Sequence, residues 1–194
     1  MISEIAFKGW KRNLRIADGT AELVVTLDVG PRILHAAPLG GKNLFCEFAD
    51  QLGGSGEAEW KIRGGHRFWT SPENEATYEF DNVPVDYRKV ADNAVEIATV
   101  NAASGWEKVL RITSEGHGRF TVNHTLKNVG NAPLATTPWA LSVMAPGGVA
   151  VIPQPAPGLH PLDQPPGTPT NVDDFQPNRG VVLWPYTHLN DPRL

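Results

Sequence analysis

Hydrophobic residues recur at every second position along most of this chain, the spacing of half-buried β-strands. In Glu22–Val29, residues Leu23, Val25, Leu27 and Val29 share one face. Asp92-Asn93 marks a turn, and Val95–Val100 follows as a strand. Lys108–Thr113 alternates again, with Leu110 and Ile112 facing inward. After the tight turn Gly116-His117-Gly118, residues Phe120, Val122, His124 and Leu126 line one side of a long strand. Thr121, Asn123, Thr125 and Lys127 line the other. Val129-Gly130-Asn131 reverses the chain once more. Asn43–Cys46 and Val181–Trp184 read as further short strands. Turn clusters fall at intervals of about 8–15 residues, and no window has the period of an amphipathic helix. The pattern predicts an all-β antiparallel sandwich or barrel, one domain over residues 1–194, with a Pro-rich connection at about 153–180.

Composition narrows the classes. The 194 residues suffice for one substantial core. Glycine (19) and proline (17) favour turns over long helices. A net charge of -4 lacks the basic stripe of a nucleic-acid binder. From Asn128 to Leu162 there is no charged residue, but the run holds prolines 133, 138, 146, 153, 155, 157 and 161. No lipid-exposed helix tolerates that density of breakers, so no membrane span is expected there. Cys46 is the one cysteine, which excludes an intrachain disulfide and a thiolate cluster. No secretory leader is evident at the N-terminus, and the expected location is cytoplasmic. The histidines show no metal-ligand spacing; neither a metal nor a cofactor is expected.

The segment Arg63-Gly64-Gly65-His66-Arg67-Phe68-Trp69-Thr70-Ser71-Pro72-Glu73 carries the densest chemistry. Two glycines permit a sharp turn or a close backbone approach. His66 and Glu73 exchange protons, Arg67 offers a planar fork of donors, and Trp69 a flat apolar face. Such a set suits a polyhydroxylated ligand. It also suits a plain strand with surface charges and one core tryptophan. In a regular strand His66 and Arg67 point to opposite faces, so one ligand meets both only if the Gly-Gly turn or a bulge twists the strand.

The order of motifs resembles that of galactose mutarotase-like (aldose 1-epimerase-like) proteins. Leu23-Val24-Val25-Thr26-Leu27-Asp28-Val29-Gly30-Pro31-Arg32-Ile33-Leu34 resembles their opening hairpin, and Gly40-Gly41-Lys42-Asn43-Leu44-Phe45 the element that follows it. Gly64 to Glu73 is similar to the Gly-Gly-His-Arg-x-Trp-x-x-Pro-Glu signature of one branch. Pro138-Trp139-Ala140-Leu141 and Gly147-Gly148 match later landmarks. The resemblance implies a large antiparallel supersandwich with a sugar cleft on one concave sheet. It also implies anomer interconversion, in which a Glu takes the anomeric proton and a His protonates the ring oxygen. Two departures stand out. Residues 136–141 lack the family's acid His, and the chain ends at Leu194, before the region of its base Glu.

On this footing the expected ligand is a sugar or sugar derivative. His66 and Glu73 are the candidate catalytic pair. Arg32, His66, Arg67, Trp69, Tyr78, Asn82 and Trp139 are the candidate binding residues. Each has a plainer role open to it: Trp69 as a core indole, Arg67 as a surface ion pair, Asp81-Asn82 as a turn, His124 as a hydrogen-bonded core imidazole. The alternative function is a non-catalytic structural or interaction β-domain without the active cleft. A sandwich short of its C-terminal strands leaves an open edge, and covering that edge predicts a homodimer.

Overall fold

The computed structural model describes residues 1–72, 81–101, 104–149 and 151. Among them are ten strands and no α-helix. The strands are β1 (Ile2–Phe7), β2 (Trp10–Ala17), β3 (Ala21–Thr26), β4 (Arg32–Pro38), β5 (Gly65–Ser71), β6 (Asp86–Ala91), β7 (Ala94–Asn101), β8 (Trp106–Gly116), β9 (Arg119–Asn128) and β10 (Thr137–Val143). The larger sheet has six strands in the order β1-β2-β3-β4-β5-β10; the smaller has four in the order β6-β7-β8-β9. Every pairing is antiparallel. The all-β sandwich read from the alternation is therefore the fold. Met1–Ala145 forms one compact unit and Pro146–Leu194 a second; the account below concerns the first. Glu73, Tyr78, the Pro-rich connection and Val181–Trp184 lie outside the described residues.

The alternation explains the core. Leu14, Ile16, Leu23, Val25, Leu27 and Ile33 from the larger sheet pack against Val95, Ile97 and Ile112 from the smaller. Burial of each such side chain contributes about 1.5–3 kcal/mol. Phe120 and Val122 join this core from β9. On β3, Val24 and Thr26 are buried as well as Leu23 and Val25, so both faces of the strand are covered. A smaller cluster of Trp10, Val29 and Leu34 sits beside the main one. Asn43–Cys46 is not a strand. Phe45 makes a single bridge to Met144, and Asn43 instead caps the neighbouring backbone through Leu34 O, Ala36 N and Phe45 N. Asn43 competes with the sheet ladder by supplying side-chain bonds to main-chain groups.

The entry to β5 is set by backbone geometry. Arg63, Gly64 and Gly65 all have positive φ (51°, 93° and 73°). A Cβ on Gly64 would lie 2.0 Å from Cys46 O, and one on Gly65 2.2 Å from Ile33 O. Only glycine permits both that conformation and that approach. The chain then runs straight: Gly65–Ser71 pairs with Thr137–Val143 without a register shift. No bulge twists β5, and its side chains alternate.

Candidate functional site

Strict alternation divides the signature segment between two faces. His66 and Phe68 face the smaller sheet, where both meet His124 of β9. Arg67 and Trp69 face the other way. Their cross-strand neighbours extend this outer face: Arg32 stands opposite Arg67 on β4, and Trp139 opposite Trp69 on β10. The structure thus brings Arg32, Arg67, Trp69 and Trp139 together and leaves His66 on the far side of the sheet.

The outer-face group is a cluster of mutually tilted indoles around the Arg67 guanidinium. Trp69 lies between Trp60 and Trp139, with ring centroids 6.2 and 6.0 Å away. The Arg67 guanidinium sits 4.0 Å from the Trp69 ring centre and 4.9 Å from that of Trp60. A cation held over indole faces is attracted by their quadrupoles. Trp69 is only 2 % exposed, so its faces are already covered. The half-buried Trp60 and Trp139 are the indoles with area to offer a ligand. Arg32 is buried and donates through Nη1 to the carbonyls of Ile62 (2.8 Å) and Gly64 (3.1 Å). Its Nε and Nη2 have no hydrogen-bond partner among the described residues. Burial pulls the Arg32 pKa down to about 9. The Asp81 carboxylate opposes that shift, and the Arg67 and Arg63 charges add to it.

Arg63, which the sequence reading did not single out, pins this region from beneath. Its guanidinium donates to Glu57 Oε2 (2.6 Å), Gln51 O (2.6 Å) and Asn82 Oδ1 (3.2 Å), and it lies over the Trp10 ring. Asn82 in turn donates to Glu57 O (2.9 Å) and Glu59 O (2.6 Å). Its amide is committed to holding the 57–63 segment, and Asp81 beside it has φ 50°. The geometry places Asn82 as a buried tie.

On the inner side, His66 Nε2 and His124 Nε2 are 2.8 Å apart, and His66 Nδ1 is 2.8 Å from Ser142 Oγ. The His ring centroids are 5.0 Å apart, close to the largest value that so short a contact allows. The rings therefore meet head-on, as a donor and an acceptor do. Phe45 stacks on His66, and Phe68 meets His124 edge-on. Burial holds both imidazoles below their ordinary range. His66 falls to about 4, with the His124 charge as a second cause. No group of three or more His, Cys, Asp or Glu that could hold a metal occurs among the described residues. His124 was legible as an inward residue of β9. Its partner was not, because the contact joins residues 58 apart on different sheets. Ser142 carried no signal of its own; only the β5–β10 register sets it opposite His66. Comparison with family models, curated proteins and solved structures returned no match to this chain.

Proposed function

We propose that this chain is a carbohydrate-binding β-domain whose ligand lies against the outer face of the larger sheet, at β4, β5 and β10. The observation that carries the reading is the pair of half-buried indoles, Trp60 and Trp139, packed against Trp69 beside the Arg67 guanidinium. Sugar hydroxyl oxygens accept from guanidinium N–H groups, and the apolar C–H face of a pyranose suits the indoles of Trp60 and Trp139. Anomer interconversion is the finer form of this reading. His66 faces the other way, so it does not serve as acid for a sugar held by Arg67, and no step is routed through it.

The second reading, a non-catalytic interaction domain, is favoured by the depth of Trp69 and by the bonds that occupy Arg63 and Asn82. On that view the outer-face group is a second core.

Two-dimensional NMR of aldoses and uronic acids at millimolar concentration separates these readings. Line broadening of one sugar in the wild type, lost in Arg67→Lys, is the expected result. Lysine lacks the planar fork and the stacking face. Exchange cross-peaks between α and β anomers above the buffer rate would add turnover. Unchanged sugar spectra with folded wild-type protein would leave the interaction domain as the answer.

A further inference from the structure

The inner face of β5 carries a second constellation, separate from the outer-face group. We propose that Ser142, His66 and His124 form a serine nucleophile served by a two-imidazole relay, directed at carboxylic esters and related activated electrophiles.

The argument starts from the register. Ser142 on β10 is the direct cross-strand neighbour of His66 on β5, so both side chains leave the sheet on the same face. The Ser142 hydroxyl is within hydrogen-bond reach of His66 Nδ1 at 2.8 Å. A base that near can take the hydroxyl proton as a new bond forms. The far nitrogen of His66 meets His124 Nε2 at 2.8 Å, so the base is itself oriented by a third group. That is the nucleophile–base–orienter order of a hydrolytic triad, recognised by geometry and not by position in the chain.

Protons fix the tautomers. For Nδ1 to accept from Ser142, His66 must carry its proton on Nε2 and donate it to His124 Nε2. His124 is then protonated on Nδ1. Attack forms the bond from Ser142 Oγ to the acyl carbon, and the hydroxyl proton passes to His66 Nδ1. Transfer of the Nε2 proton to His124 leaves His66 neutral and places the positive charge on His124. The leaving alkoxide departs with its electron pair and takes a proton back through the same relay. Water then repeats the sequence and releases the acid.

The surroundings fit this role. Ser142 is exposed and both imidazoles are partly buried, so the hydroxyl is open to a substrate while the base is sheltered. The site lies where β9, an edge of the smaller sheet, meets β10, an edge of the larger. Among the described residues, the groups that meet the His66–His124 pair are Phe45 from the 43–48 segment, Phe68 from β5 and Ser142 from β10. Among the described residues, the other ionisable group acting on His66 is His124, and burial outweighs it. His66 is therefore a neutral base throughout the physiological range. The apolar ring neighbours favour an uncharged ester.

An alkyl fluorophosphonate reports the nucleophile. Ser142 Oγ bonds to phosphorus, fluoride leaves with the P–F electrons, and the proton goes to His66. Peptide mapping after timed exposure gives the rate at Ser142 against that at Ser55, another exposed serine. The expected result is labelling at Ser142 at least about 100-fold faster, the usual contribution of a positioned base. The advantage should persist down to about pH 5 and vanish in His66→Gln. Labelling of Ser142 no faster than Ser55, or fast labelling that survives both His66→Gln and His124→Gln, would overturn the proposal. Ser142→Cys on a Cys46→Ala background covers the case in which a histidine variant does not fold. Alkylation by iodoacetamide at neutral pH faster than that of a free thiol supports the relay. An unperturbed thiol profile with folded protein refutes it.

Discussion

At the scale of single residues, one strand serves two environments. His66 and Arg67 are adjacent in sequence, yet one meets an imidazole between the sheets and the other an indole cluster outside them. The alternation that separates them was legible in the sequence, as was the condition for escaping it, a bulge that β5 does not have. What each face would meet was not legible, because His124, Trp139 and Ser142 arrive from distant segments. The depressed pKa of His66 has a signed consequence. The unfolded chain binds a proton near pH 6.5, while the folded one resists until about pH 4. Between those values the unfolded state holds more protons, so stability falls as pH falls through that window. Urea unfolding at pH 7 and pH 5 should show a loss of about 1 kcal/mol that is diminished in His66→Gln. On the other face, Trp69→Ala should cost about 3–5 kcal/mol, as a buried indole does. Arg67→Lys should instead remove the proposed sugar binding with a much smaller change in the unfolding midpoint.

At the scale of elements, β5 depends on how it is entered. The Gly64-Gly65 pair was visible as a turn signal, but the reason for it was not. Each glycine lies so close to a carbonyl of another segment that a side chain would collide with it. Gly65→Ala should lower stability by about 2–3 kcal/mol through left-handed strain and the contact with Ile33 O, measurable by chemical denaturation. The larger sheet's first five strands follow one another in chain order, as do the four strands of the smaller sheet. Of these, β3, β7, β8 and β9 were legible in their alternating apolar positions. Asn43–Cys46 misled because strand-forming residues surround an asparagine whose side chain takes the bonds that a ladder would have made.

At the scale of the molecule, Asp18 is one of the polar ties between the two sheets. From the β2–β3 turn it accepts from Thr20 N (2.9 Å), Ala21 N (3.0 Å) and, across the sandwich, Gly118 N (2.7 Å) in the β8–β9 turn. These donors, Ala21 first, lower its pKa. The stability it lends is present above its unfolded value and is lost as pH falls below about 4, the ordinary carboxylate range. Asp18→Asn should lower the thermal midpoint at pH 7 and flatten its decline in acid, as calorimetry across pH would show.

The pairing of β5 with β10 has a consequence for synthesis. Every other ladder of the larger sheet closes within the first 71 residues. The free edge of β5, with Trp69 on it, waits until residues 137–143 have been made. At about 5–20 residues per second, that edge stays unpaired for several seconds on the ribosome. An unpaired strand edge bearing a large apolar side chain invites association with other chains. Substitutions in β10 should therefore reduce the yield of native protein in a growing cell more than they reduce the stability of the molecules that do finish folding.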